Sequence, residues 1–408
     1  MFYVLPHLGN TANSIRRQFF GDLAHGLKFH NTFHFDTPDH AYTCDSTGNY
    51  PDLSHFAAVR RMWMECGEFD DIVMHGTAQA EQATVALLYS ETSDIWHDGV
   101  GTLGSAKRAL YLALRHLQFP VDIVIEPDDF VPAATGAETA NAMSAVSRLG
   151  YKTLYMTEPH VSDQGARAIA AWVANGGVVF ATAGAGLRNE TNESSTVFSK
   201  LLGVTEHAMR TAATGDIQYI KDDLPFSLPL DTVAWKEQPS QGTSTKMEVI
   251  GQQSVFKVEK SCKILSHFAT GEAAVTSRDE GHGRAFYVGF LPGLAYVYPA
   301  IPRRPADRGA TDANMNHFIP TLFNTGARRL IGLAASGRDG NFDPRPVVVS
   351  EPLVESGVIR AEGAVVNGTA LPLINWSGEP VSITQQALQL RNYCLIERRA
   401  GPSGKYIY

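Results

Sequence analysis

The sequence predicts an α/β protein organised around a parallel sheet, and three observations point there. Between Val85 and Thr182, short apolar runs alternate with stretches of helical periodicity, the pattern of a sheet covered by helices on both faces. After Gly203 the pattern changes to strands separated by turn residues. Residues 1–80 carry two strand–helix pairs of their own. A closed (β/α)₈ barrel takes eight such units and about 250 residues, so this segment reads as part of something larger.

Taken in order, Phe2 to Leu5 is strand-like, and Asn13 or Ser14 can cap a helix that lines up Ile15, Phe19, Leu23 and Leu27. Phe29 to Phe35 alternates as a strand, and Phe56 to Met64 is helical in pattern. Val85 to Glu91 is an apolar run ending in small and polar residues, read as a buried strand that delivers a loop, with Thr92 to Trp96 following it. Ser105 can cap a helix through Ala106, Ala109, Leu110, Ala113, Leu114 and Leu117, followed by a strand from Val121 to Ile125. A helix from Glu138 to Leu149 stops at Gly150, and Thr153 to Thr157 is the third strand. Ser162 caps a helix carrying Ala166, Ile169, Ala170 and Val173, closed by Gly176-Gly177, before a fourth strand from Val178 to Thr182.

Beyond Gly203, Ala273 to Arg278 and Arg284 to Phe290 are expected to pair as a hairpin across Asp279-Glu280-Gly281-His282-Gly283. A helix is expected from Phe318 to Leu333, with Pro320 in its first turn. Gly337 to Pro346 has linker composition. Val347 to Val349, Gly363 to Ile374, Val381 to Leu390 and Tyr393 to Arg398 read as strands of a small antiparallel β module.

Composition excludes several classes. The 408 residues are 44% hydrophobic, enough for a large core, and 34 Lys+Arg against 42 Asp+Glu leave no basic footprint for nucleic acid. No apolar run approaches the roughly 20 residues of a membrane span. Residues 1–10 lack the charged and apolar regions of a signal peptide, which makes a cytoplasmic address the expectation. Cys44, Cys66, Cys262 and Cys394 have no C-x-x-C spacing, so neither a thiolate zinc site nor a disulfide framework is expected. His25, His30, His34 and His40 are dense, and His30 and His34 share a strand face, but no acidic cluster at fixed spacing accompanies them. Ala181-Thr182-Ala183-Gly184-Ala185-Gly186 lacks the phosphate-loop Lys and the dinucleotide spacing, and reads as a tight turn after a strand. No metal and no cofactor are expected.

Three stretches carry a family resemblance. The run from Gly9 to Gly26, ending Leu23-Ala24-His25-Gly26, resembles the region around the seventh barrel helix of glycoside hydrolase family 42 β-galactosidases. Val85 to about Ala335 is similar to their trimerisation domain, through Gly271-Glu272-Ala273-Ala274-Val275, Gly281-His282-Gly283-Arg284 and Gly289-Phe290-Leu291-Pro292-Gly293. Residues 345–408 resemble the start of their C-terminal β domain. The resemblance implies the last βα units of an incomplete (β/α)₈ barrel at 1–80 and a class I glutamine amidotransferase-like, flavodoxin-like domain at 81–337. It implies a C-terminal β domain, itself incomplete, at 345–408. It also implies a homotrimer assembled through the α/β domain, whose first strand-end loop lies against a neighbouring barrel.

The catalytic pair does not carry over. A retaining glycosidase needs two carboxyl groups about 5 Å apart, and the family's acid/base Glu belongs to a fourth barrel strand that this chain does not contain. Its nucleophile Glu ends the seventh strand, where this chain has Val4-Leu5-Pro6-His7. Amidotransferase chemistry needs a nucleophilic Cys, and no strand end between Val85 and Thr182 carries one. No catalytic residue is therefore assigned, and the chain by itself is expected to be inactive. The candidate substrate-binding or interface residues are Glu91, Asp94 and Trp96 at the first strand end, with Asn10, Arg16 and Arg17 in the matching N-terminal stretch. An aromatic ring beside carboxylates suits a sugar, stacking on its apolar face and accepting from its hydroxyls; Trp96 filling a subunit interface is the other reading. Arg16-Arg17 beside Asp22 reads as an ion pair or as a contact to sugar hydroxyls. The expected function is part of a carbohydrate-active, β-galactosidase-like glycoside hydrolase, supplying oligomerisation and a wall of the sugar pocket. The alternative is a module that assembles or binds carbohydrate without hydrolase activity. The expected partners are further copies of the chain and a carbohydrate, with no nucleic acid and no membrane.

Overall fold

The structure, a computed structural model, describes residues 2–4, 19–28, 30–32, 54–68, 70–78, 83–97, 101–126, 150–212, 228–235, 244–300, 322–338, 345, 347–362, 366–375 and 385–387. The chain forms two compact units, one of Met1–Gln82, Arg304–Pro320 and Arg345–Tyr408, the other of Ala83–Arg303 and Thr321–Pro344.

In the first unit, β1 (Phe2–Val4) pairs in parallel with β2 (His30–Thr32), with helical residues 19–24 between them. The helices Ser54–Cys66 and Asp70–His75 follow. Their apolar faces meet residues 19–24 in a core of Phe19, Leu23, Met62, Cys66, Val73, Ile359 and Ala370. The short β3 (Thr77–Ala78) joins the antiparallel pair β17 (Ile359–Glu362) and β18 (Asn367–Ala370). Two further antiparallel pairs are β15 (Val347–Val349) with β20 (Gln385–Ala387), and β16 (Val354–Ser356) with β19 (Leu373–Asn375). The single strand expected from Gly363 to Ile374 is therefore two, because Pro372 has no N–H for a ladder and the chain turns between Ala370 and Leu373. The strand expected from Val381 to Leu390 is described at Gln385–Ala387, and Tyr393 to Arg398 lies outside the described residues.

Asp22 and His25 sit at the end of the helix at 19–24. His25 Nε2 lies 2.7 Å from the buried carboxylate of Glu355. Burial pushes the Asp22 carboxyl up to about 6, opposed by the charge of His25. A carboxyl raised in the folded state stabilises the fold most below the ordinary value of 3.8, and that contribution is lost as the pH rises toward 6. Asp22→Asn is therefore expected to stabilise the chain at neutral pH by about 1 kcal/mol, a figure discounted for partial exposure. Melting temperatures of both proteins between about pH 4 and pH 7 check it. The variant should show a shallower pH dependence, and parallel curves would refute the assignment.

The second unit is built on a mixed sheet of seven strands. These are β4 (Val85–Ser90), β5 (Val121–Glu126), β6 (Thr153–Met156), β7 (Val178–Ala181), β12 (Lys263–His267), β13 (Ala273–Glu280) and β14 (Gly283–Val288). Their spatial order is β12-β13-β14-β7-β6-β4-β5, parallel from β14 to β5 and antiparallel from β12 to β14. The five parallel strands, numbered as they occur in the chain, stand in the order 2-1-3-4-5. Two antiparallel pairs are inserted in sequence between β7 and β12, β8 (Val204–Thr211) with β11 (Gln252–Val258) and β9 (Asp231–Trp235) with β10 (Thr245–Val249).

Side chains alternate across each strand, so each face has its own core. Ala86, Leu88, Val124, Leu154, Met156, Val179, Ala181, Ala285 and Tyr287 meet Ile169, Trp172 and Phe198 of the helices Asp163–Ala174 and Thr196–Leu202. On the other face Tyr155 Oη donates to Ile331 O at 2.6 Å and Thr153 Oγ1 to Ala334 O at 2.9 Å, which ties on the helix Thr325–Ala335. The helix Pro292–Val297 packs closely on Gly101–His116, since a Cβ on Gly293 would lie 2.5 Å from Leu110 N.

Three element boundaries correct the sequence expectations. Glu91 to His97 is a helix, not a loop, because Ser90 Oγ accepts the Ser93 N–H at 3.2 Å and Glu91 and Asp94 place negative charge in the first turn. The next helix starts at Gly101, so Ser105 is a buried helical residue and not its cap. The helix expected from Phe318 starts at Thr325, where Asn324 Oδ1 accepts the Ala327 N–H at 3.0 Å; Phe318 and Pro320 lie outside the described residues, as does the helix expected from Glu138 to Leu149. Ser162 does cap its helix, accepting from Gly165 N. Gly184 and Gly186 both have positive φ, in the turn expected after β7.

Candidate functional site: the carboxyl ends of the parallel strands

The order of the parallel strands reverses direction between β4 and β6, and ligands of open α/β sheets bind beside the carboxyl ends at such a point. Here the Tyr89 hydroxyl donates to the Asp94 carboxylate. That bond, followed by burial, pushes the Tyr89 phenol above its ordinary range. Lys107, one turn and a half into the helix Gly101–His116, lies 4.7 Å above the Tyr89 ring and 2.6 Å from Glu158 Oε1. Glu158 follows β6, and its second oxygen accepts from Thr157 N at 3.0 Å. An almost fully buried carboxylate is tolerable only with such partners. Asp94, His97, Leu103, Lys107, Thr157 and Glu158 line a cleft of about 20 Å³, room for a water molecule and not for a sugar ring.

The outer face of the same strand ends is open. Trp96 is 46% exposed yet held on two sides. Its Nε1 donates to Glu190 O at 3.2 Å, and its indole stacks on the His160 imidazole with centroids 5.5 Å apart and planes 13° from parallel. His160 is buried, lies 4.9 Å from the His97 ring and has Nε2 2.9 Å from Asn192 Oδ1. A carbonyl oxygen only accepts, so Nε2 carries the proton and Nδ1 is a bare acceptor, with no hydrogen-bond partner. Burial lowers the His160 basicity, as do the charges of His97 and Arg188, while the Asn192 bond raises it.

Behind this face, fully buried Glu126 at the end of β5 joins three segments. Its Oε2 lies 2.6 Å from Ser90 Oγ, and its Oε1 accepts from Ser162 N at 2.9 Å. Ser90 Oγ also lies 2.9 Å from His160 O. The loop beneath Trp96 is thereby fastened to β4 and β5.

Of the six residues singled out in the sequence, the structure brings Glu91, Asp94 and Trp96 together on one short helix, Glu91 exposed and Asp94 engaged by Tyr89. Asn10, Arg16 and Arg17 lie outside the described residues. Sequence reasoning did not single out Lys107, Glu126, Glu158, His160 or Asn192. Glu126 and Glu158 end or follow parallel strands, so the strand-end argument that found Glu91 reaches them too. Among the described residues no group of three or more His, Cys, Asp or Glu is placed to hold a metal ion, and no helix is long and apolar enough to cross a membrane.

No protein-family model and no curated protein matches the chain. Solved structures do. The β-galactosidase of Rahnella sp. R3 superimposes with a TM-score of 0.58 at 17% identity, covering 86% of this chain and 45% of that one. The β-galactosidase of Bacillus circulans sp. alkalophilus gives 0.57 at 14% identity, with coverages of 89% and 48%. Gan42B, a GH42 β-galactosidase of G. stearothermophilus, gives 0.56 at 16% identity, with 88% and 46%. This chain spans less than half the length of each, and at such identities the likeness concerns fold. Over nearly nine-tenths of its length, the chain has the fold of part of a GH42 β-galactosidase.

Proposed function

We propose that the chain is part of a carbohydrate-active, β-galactosidase-like glycoside hydrolase, in which it supplies oligomerisation and one wall of the sugar pocket. The observation that carries this reading is Trp96, an indole fixed by a hydrogen bond and a stacking partner while nearly half of it faces water. An exposed aromatic ring held still, with Glu91 on the same helix, suits the apolar face and hydroxyl rim of a sugar. The strand order 2-1-3-4-5 supports a flavodoxin-like, amidotransferase-like scaffold for residues 81–337. The parallel β1–β2 pair around a helix supports the end of a (β/α)₈ barrel in residues 1–80, and residues 345–408 make up a C-terminal β domain. Assembly as a homotrimer and a cytoplasmic address belong to the same proposal.

Two measurements on the 408-residue chain test it. Light scattering at micromolar concentration is expected to give three times the chain mass of 44.4 kDa, and a monodisperse monomer would remove the oligomerisation role. On a panel of immobilised mono- and disaccharides, β-galactosides are expected to be retained selectively. Retention no better than on uncoated surface would remove the sugar-wall role.

A further inference from the structure

We infer that His160 is the positioning residue of the Trp96 face: its neutral imidazole, seated beneath the indole, holds the open side of that ring ready for a sugar, and acidification releases it. The inference rests on the sugar-wall reading for the identity of the ligand, but the device itself is visible without one.

Four observations converge on His160. Its ring is nearly parallel to the indole, at 13°, so one face of Trp96 is occupied and only the other is left for a ligand. The imidazole is itself fixed, through Nε2 to Asn192 Oδ1 at 2.9 Å and through its backbone oxygen to Ser90 Oγ at 2.9 Å. The same turn that carries Asn192 carries Glu190, whose backbone oxygen takes the Trp96 N–H at 3.2 Å. Residues 190–192 therefore hold both rings of the stack. The remaining atom, Nδ1, is buried and has no partner.

Protonation must occur at Nδ1, where no acceptor waits for the new N–H. The surroundings do not neutralise the charge either. From the helix Glu91–His97, His97 faces the ring as a second base, while Asp94 is engaged by Tyr89 and Glu91 is exposed. From the loop after β6, Glu158 is committed to Lys107; Asp163 begins the following helix, and its backbone N–H is taken by Glu190 Oε2 at 2.7 Å. From the turn at 188–193 come the positive Arg188 and an exposed Glu193. Glu126 is spent on Ser90 and Ser162. An imidazolium here is a desolvated cation flanked by like charge. Its attraction to the stacked indole opposes release, and what drives the ring out is the buried Nδ1–H, which finds an acceptor only by reaching water.

The test follows the indole N–H resonance of Trp96 by NMR in the full chain, assigned with Trp96→Phe, between about pH 8 and pH 5. The resonance is expected to titrate with a midpoint below the ordinary histidine range, and the titration should vanish in His160→Gln. Asn192 is exposed and at positive φ, which Asp tolerates, so Asn192→Asp keeps the fold while putting a carboxylate on Nε2. It is expected to move the midpoint to higher pH, which gives a signed readout even where His160→Gln does not fold. A Trp96 resonance that stays still across the range, or that titrates unchanged in both variants, would overturn the inference. Affinity for methyl β-D-galactoside should fall about tenfold in step with the titration. A titrating resonance with no sugar binding at any pH would support the positioning role and overturn the sugar-wall reading.

Discussion

Replacing Glu126 by alanine is expected to destabilise the chain by about 3 kcal/mol, while Glu126→Gln costs about 1 kcal/mol or less. Alanine leaves the Ser162 N–H without its acceptor, leaves the Ser90 hydroxyl only His160 O, and opens a hole in a fully buried position. The stranded Ser162 N–H costs about 1–3 kcal/mol and the cavity adds to it. Glutamine keeps the geometry: its oxygen accepts from Ser162 N, its amide donates to Ser90 Oγ, and the Ser90 hydroxyl then donates to His160 O, 2.9 Å away. Denaturant titration of both variants separates the two effects. Equal losses would mean that the carboxylate charge, and not the hydrogen-bond network, holds the strand ends together.

Trp96→Ala is expected to leave the fold intact and to weaken sugar binding by about 2 kcal/mol, roughly thirtyfold. The first half follows from exposure, since only the half of the indole stacked on His160 is buried against the unit. The second follows from preorganisation: a ring held by Glu190 O and His160 gives up little freedom when a ligand covers it. Circular dichroism with a methyl β-D-galactoside titration, followed by calorimetry, reads both. An affinity unchanged by the substitution would place the sugar elsewhere. Lost cooperativity of unfolding would make Trp96 a structural residue.

The parallel strands were legible because they are short, continuous apolar runs. Val121 to Ile125 and Val178 to Thr182 were read to within one residue of β5 and β7. The cap at Ser162 was legible for the same local reason: a hydroxyl residue directly precedes a helical stripe. Glu91 to His97 misled because Ser90 is at once the last residue of a strand and the cap of a helix, so no loop separates them. The proline between Ala370 and Leu373 was visible in sequence, yet its effect was missed inside a run of strand-like residues. Three residues of the candidate site were readable, since Glu91, Asp94 and Trp96 are neighbours in the chain. Lys107, Glu126, Glu158, His160 and Asn192 come from separate segments, and only the parallel sheet, which delivers successive strands to one edge, brings them together.

Saturation-transfer difference NMR of the full chain with methyl β-D-galactoside tests the carbohydrate role of the strand-end face most directly. Magnetisation is expected to reach the protons of the sugar's apolar face most strongly, as stacking on Trp96 requires, and to disappear in Trp96→Ala. Transfer absent from the native chain, or equally strong in Trp96→Ala, would contradict it.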